Sequence, residues 1–408
     1  MAGNLETQCC IAGGGPAGLM LGYLLARAGV AVIVLEKHAD FLRDFRGDTV
    51  HPSTLEVMAE LGLIDRFLAL PHQKVRKLGA MVGDTPVMIA DFTHLPVREP
   101  YIAMMPQWDF LNFVASEGAG YETFTLRMST EATGLIEKGD TVVGVRAMSP
   151  EAPIEIRADL VVAADGRNSV LRARAGLVVD DLGAPMDALW FRVPAQPGEA
   201  GETMGRVGAG SILVQIFRGD YWQCAYVIPK GAFETLKAAG LAAFRETIAA
   251  GLKWDPARLA TIASWDDVSL LTVRVDRLRQ WYRQGFLCIG DAAHAMSPIG
   301  GVGVNLAVQD AVAAANRLAA PLKAGTLDVE DLKAVQRRRM FPTRITQAIQ
   351  LIAQNRIIGP VLELKEQPAL PRALRLMQRC PVLQRLPARV LGLGVRREHV
   401  AEFIRAAH

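Results

Sequence analysis

Residues 8–12 form a short apolar run, residues 13–18 are rich in glycine, residues 19–28 are apolar up to Gly29, and residues 31–35 are mostly β-branched. That order predicts strand, turn, helix and strand, the opening of a doubly wound sheet. Between about 180 and 280 the pattern changes. Trp190, Phe191, Val214, Ile216, Phe217, Tyr221, Trp222, Tyr226 and Ile228 stand between Gly and Pro turns, which predicts a separate antiparallel sheet, with a helix over 233–252. A strand over 286–289, a second glycine-rich turn and an alanine-rich helix from Val304 to about Leu318 return the chain to the first sheet. From Leu332 onward, Pro342, Pro360, Pro368, Pro371, Pro381 and Pro387 are expected to cut the helical pattern into short pieces.

Composition narrows the function classes. Lys and Arg number 45 against 42 Asp and Glu, a net charge of +3, too small to suggest nucleic-acid binding. The charge is uneven, because residues 341–408 hold eleven Lys and Arg against four Glu. Such a tail packs on its own domain or on a second subunit, the favoured reading, or rests on an anionic membrane surface. Five cysteines without a C-x-x-C pair suit a reduced, cytoplasmic setting, and seven histidines without ligand spacing give no metal site. Residues 9–35 carry only Arg27 as a charge, yet no basic residue precedes them and glycines punctuate them, so neither a signal peptide nor a membrane span is expected.

Gly13-x-Gly15-Pro16-Ala17-Gly18 lies between the first strand and helix, and Glu36, followed by Lys37, ends the next strand. The glycines permit a tight turn and let a pyrophosphate approach backbone N–H groups at a helix start, while Glu36 can accept ribose hydroxyls. This is a dinucleotide-binding pattern. It does not by itself choose between FAD and NAD(P).

Two further segments do. Residues 158–172, which include Asp165-Gly166-Arg167-Asn168-Ser169, and residues 285–305, which include Gly290-Asp291 and Pro298-Ile-Gly300-Gly301-Val-Gly303-Val304-Asn305, resemble the second and third fingerprints of the FAD-dependent aromatic hydroxylases, single-component flavoprotein monooxygenases similar to p-hydroxybenzoate hydroxylase. The resemblance covers roughly residues 7–345. It implies an α/β protein with a Rossmann-like FAD-binding domain (1–75, 100–180 and 281–345) interleaved with an antiparallel-sheet substrate domain (76–99 and 181–280), then a helical C-terminal extension (346–408). It implies that Asp291 binds the flavin ribityl chain and that Pro298 to Asn305 lie along the flavin ring at a helix start, Pro298 at its edge. Asp165 and Arg172 would meet FAD or the nicotinamide, Arg46 and Gln107 the pyrophosphate or ribityl region, and Ala132 the adenine.

The implied reaction is hydroxylation of an aromatic or polycyclic small molecule, with NADH or NADPH as transient reductant and O2 as oxidant, through a flavin C4a-hydroperoxide. The enzyme would be a monomer or homodimer. The residues also admit plainer readings: Asp165 and Asp291 as helix caps, Arg46 as a surface charge, Gln107 as a helix-start residue, and His294 and His51 as structural histidines. Two departures from relatives stand out. Cys224 and Tyr226 replace the two tryptophans of halogenase relatives, and Val302 replaces a usual Gln. The alternatives are a flavin-dependent reductase, epoxidase or dehydrogenase acting on a lipid or prenyl substrate, and a redox-silent binding protein.

Overall fold

The structure is a computed structural model that describes residues 3–42, 49–199, 201 and 203–407 of the 408. Arg46 lies outside the described residues. The first strand, Gly3–Ala12, runs inside an eight-stranded sheet, parallel to Val32–Leu35 on one side and to Pro153–Ala163 on the other. Phe124–Arg127 extends the parallel set beyond Val32–Leu35, and Phe286–Cys288 extends it beyond Pro153–Ala163. Register places the last residues Leu35, Ala12, Ala163 and Cys288 in one row. Because the chain leaves the central strand first to one side and later to the other, this row borders a topological switch point, where open α/β sheets form their ligand crevice.

The helix after the glycine turn, Pro16–Arg27, starts three residues earlier than its Leu19 apolar onset, since Pro at the first helical position is preorganised for the helix. It packs between Gln107–Gly118 and Gly303–Ala324. Close approach to the sheet needs Gly22, where a Cβ would stand 2.7 Å from Val34 Cγ2. Gly303–Ala324 runs six residues past Leu318 and stops at Gly325, which takes a left-handed cap. A meander, Glu131–Lys138 and Thr141–Met148, joins Pro153–Ala163 in antiparallel fashion.

The second sheet has seven strands in the order Ser269–Leu271, Met186–Pro194, Tyr221–Pro229, Ser211–Phe217, Met204–Gly208, Lys77–Val82 and Thr85–Asp91. All neighbours are antiparallel except Met204–Gly208 and Lys77–Val82, which are parallel. Strand alternation sorts its aromatic residues. Phe191, Trp222, Cys224, Tyr226 and Ile228 pack under the helix Leu241–Leu252 with Phe244 and Ile248. Trp190, Val214 and Ile216 take the opposite face, against Phe92, Ile102, Met104, Ala388 and Leu393.

Two helical expectations are corrected. The stretch 233–252 is two helices, Phe233–Ala239 and Leu241–Leu252, broken where Gly240 takes φ +95°. Pro342 does not end its helix: Val329–Ala353 continues through it, because Leu332, Val335, Thr343, Gln347 and Gln350 on its inner side are buried. Packing of that face outweighs the lost hydrogen bond.

Candidate functional site

The three fingerprint segments emerge side by side from the aligned strand ends. Gly13 follows Ala12, Glu36 follows Leu35, Asp165 follows Ala163 by two residues, and Gly290 and Asp291 follow Cys288 closely. At the first turn a Cβ on Gly13 would lie 2.3 Å from the Ala164 carbonyl oxygen, and one on Gly18 would lie 1.9 Å from that of Gly13, whereas Gly15 has nothing within 4 Å. Gly13 and Gly18 therefore serve packing, and Gly15 faces an open approach to the start of Pro16–Arg27. No side chain caps that helix start, so its N–H groups and positive dipole end are directed outward, past Pro16 and the buried Ala17.

Glu36 is buried and bonded to the turn: Oε2 accepts the Gly14 N–H and Oε1 the His38 N–H, each at 3.0 Å. Its backbone carbonyl accepts the Thr130 N–H at 2.8 Å, which brings the strand carrying Ala132 beside it. Lys37 is exposed. Gln107 is the first residue of its helix and half-buried.

Asp165 has two differently placed oxygens. Oδ2 accepts the N–H of Val170 at 2.9 Å and of Leu171 at 3.3 Å, the helix-capping use, while Oδ1 is buried without a hydrogen bond. Burial pushes this carboxyl up from the ordinary carboxylate range, and the hydrogen bonds only partly offset it. Arg172 is buried and occupied by protein groups. It donates to the Arg167 carbonyl at 2.6 Å and the Ala292 carbonyl at 3.2 Å and pairs with Asp276 at 3.4 Å. It ties two fingerprints together. Arg167, which the sequence reading passed over although it stands inside the Asp165-Gly166 fingerprint, reaches Asp291 Oδ2 at 3.3 Å.

The Pro298 turn is held from beneath. Pro298 itself is exposed, and Gly300 and Gly301 take positive φ. A Cβ on Gly301 would fall 2.3 Å from Thr49 Oγ1 and one on Gly300 2.7 Å from Leu391 Cδ2, but Gly303 has nothing within 4 Å. The Asn305 side chain is committed to this frame: Oδ1 accepts from His51 N–H at 2.9 Å and Thr54 Oγ1 at 2.7 Å. Only its backbone, like those of Gly303 and Val304, remains for a ligand at a helix start that no side chain caps. His51 donates from Nδ1 to the Leu391 carbonyl at 2.8 Å, so the C-terminal segment is part of the site's wall. Nothing in the tail's basic, proline-rich composition signals that contact.

His294 is structural in its contacts. Its Nε2 meets Asp310 Oδ2 at 2.5 Å, and the same oxygen accepts the Gly290 N–H at 3.0 Å. Arg339 donates to Asp310 Oδ1 at 2.8 Å and to Glu398 at 3.1 Å, all of it buried. Burial alone would raise the Asp310 carboxyl; His294 and Arg339 outweigh it and hold it below the usual range.

The sequence profile described as FAD binding domain matches residues 6–348. The chain belongs to the FAD-dependent aromatic hydroxylase family. Among curated relatives, the 6-methylpretetramide 4-monooxygenase of Streptomyces rimosus is 30% identical over 405 residues, covering 95% of this chain and 93% of that protein. The 12-dehydrotetracycline 5-monooxygenase/anhydrotetracycline 6-monooxygenase of Streptomyces rimosus subsp. rimosus is 30% identical over 343 residues, and the match spans 81% of this chain and 65% of that protein, under two thirds of its length. Among solved structures, p-nitrophenol 4-monooxygenase PnpA from Pseudomonas putida DLL-E4 shares the fold with TM-score 0.72 at 20% identity over 96% of both chains. This flavoprotein monooxygenase is an oxidoreductase with FAD as cofactor and NAD(P)H and O2 as co-substrates. Its residues suit FAD: Gly15 and Gly303 have open space where a Cβ would lie, the two helix starts that follow them carry no side-chain cap, and Asp165 Oδ1 has no hydrogen-bond partner among the described residues.

Proposed function

We propose that this monooxygenase hydroxylates a fused polycyclic aromatic molecule. The carrying observation is that Ile299, in the Pro298 turn, packs on the cluster of Met186, Val227 and Val273, against which Ile212 of the seven-stranded sheet also packs. Their face continues through Val214, Ile216 and Trp190 to Phe92 and Met104. That is a broad apolar wall beside the turn, and burying a flat ring system on such a wall yields about 25 cal/mol per Å². The names of the two tetracycline-type relatives point to the same ligand shape.

In this reading the strands of 76–99 and 181–280 hold the substrate and the three segments of the first sheet hold FAD. Glu36 and Ala132 serve the adenosine end, Gly13 to Gly18 the pyrophosphate with Arg46 and Gln107, and Asp165, Gly290 and Asp291 the ribityl chain. Gly301 to Asn305 offer backbone N–H groups to the ring, where a helix start favours negative charge. Held there, FAD would supply hydride acceptance and O2 activation, while the protein would position the ring and exclude water.

The test is NADH and NADPH consumption by the FAD-loaded protein in air with a panel of anthraquinones, naphthacenes and simple phenols. Ligand-stimulated oxidation by the fused-ring members, with a product one oxygen heavier, is expected. Stimulation by simple phenols alone, or a product without added oxygen, overturns the proposal.

A further inference from the structure

Residues 367–397 contain seven arginines and no Asp or Glu. They form a two-faced layer over the outer edge of the seven-stranded sheet. On the inner face the Gln378 side-chain amide accepts the Met88 N–H at 3.0 Å and donates to the Met88 carbonyl at 2.8 Å, which satisfies the edge strand Thr85–Asp91. Ala388 and Leu393 are buried in the cluster of Phe92 and Leu95. The layer is thus anchored by its inner side.

The outer face has a different composition. The helix Arg372–Arg379 buries none of its residues fully. Leu376, Val382 and Leu386 are 57%, 60% and 68% exposed, interleaved with exposed Arg372, Arg375, Arg379, Arg385 and Arg389. Among the described residues none of these five arginines pairs with a carboxylate; Arg385 meets only His94 Nε2, at 3.4 Å.

We propose that this face docks on an anionic lipid surface. Large aliphatic side chains among unpaired arginines match the boundary between acyl chains and acidic headgroups, where the apolar residues enter and the guanidinium groups stay with phosphate. A second copy fits poorly, because a two-fold contact would set this arginine face against itself with no acid in the segment to compensate. No helix among the described residues is long and apolar enough to cross a membrane, so the contact is peripheral. The proposal does not rest on the substrate reading.

Sedimentation of the FAD-loaded full chain with phosphatidylglycerol/phosphatidylcholine vesicles and with pure phosphatidylcholine vesicles tests it, in low and high salt. The expected result is pelleting with the acidic vesicles only, reversed by salt. The Arg372→Gln, Arg375→Gln, Arg379→Gln triple variant should partition about a hundredfold less, at about fivefold per arginine, with FAD absorbance and melting temperature unchanged. Leu376→Ser with Leu386→Ser should also weaken it at constant charge. Absence of pelleting at low salt, or equal pelleting with neutral vesicles, overturns the proposal. So does a dimer of the wild-type chain that becomes monomeric in the two-leucine variant, since a second copy then covers the face.

Discussion

Gln350 and Ser297 meet as though they were paired strand residues: the Gln350 side-chain oxygen accepts the Ser297 N–H at 3.3 Å, and its nitrogen donates to the Ser297 carbonyl at 3.0 Å. The same nitrogen donates to the Ile299 carbonyl at 3.0 Å. Gln347 serves the carbonyls of Asp276 and Ala295, and Gln354 the Ser297 hydroxyl. Two glutamines on one helix, and Gln354 just past its end, thus satisfy a buried, irregular stretch that would otherwise strand its backbone groups, and that stretch leads directly into the Pro298 turn.

Replacing Gln350 by Leu leaves these backbone groups unpaired in a buried place. At about 1–3 kcal/mol for a stranded group, the variant is expected to lose about 2–4 kcal/mol in urea unfolding. It should also release FAD more readily in fluorescence titration, because the turn loses its support. An unchanged melt and unchanged FAD affinity would show that water replaces the glutamine without cost.

The glycines of the first turn separate packing from cofactor approach. Gly18→Ala places a Cβ against the Gly13 carbonyl and should prevent folding into a soluble, cooperative state. Gly15→Ala meets no protein atom and should melt like the wild-type apoprotein while binding FAD at least tenfold more weakly. If Gly15→Ala retains FAD affinity, the cofactor does not approach the turn from that side.

Much of this architecture was legible in the residues. The strand, glycine turn, helix and acid of residues 8–36 occur in the expected order because local pattern and tertiary role agree there. Legibility fails where one residue serves a partner distant in sequence. The glutamines at 347, 350 and 354 look like solvent-facing helix positions, and no local signal shows that they hold residues 276–299. Pro342 reads as a break, but a buried inner face carries the helix through it. Period-two patterning marked Phe191, Trp222 and Tyr226 as strand residues without telling which face each takes, and the structure puts them under the Leu241–Leu252 helix rather than on the wall beside Ile299.

Arg339 is 1% exposed and joins Asp310 to Glu398, so it fastens the Gly290 turn, the long helix and the tail together. Arg339→Met leaves Asp310 to His294 and Glu398 to Arg338 and removes the charged hydrogen bonds that join them, at a cost of about 1.5–3 kcal/mol. Arg339→Lys keeps the charge but not the two-sided geometry and should fall between. Thermal unfolding of the three proteins gives the order; a methionine variant as stable as the wild type would mean that the network contributes nothing net.

His51 makes a pH dependence that can be assigned. Burial lowers its ring to about 4 from an ordinary 6.5, against the opposing pull of the Leu391 and Gly301 carbonyls. Between those two values the unfolded chain holds a proton on this ring and the folded chain does not. Its contribution is therefore complete above pH 6.5 and is lost as pH falls toward 4, by about 1.4 kcal/mol per unit and about 3 kcal/mol in all. His51→Gln cannot take a proton, and its amide can still donate toward Leu391. Urea unfolding of both proteins at pH 7, 6, 5 and 4.5 should show the wild type losing stability more steeply below 6.5, with the difference following that slope. Parallel curves would mean that the ring takes up its proton equally in the folded and unfolded chain, so that the Pro298 turn does not exclude charge from His51.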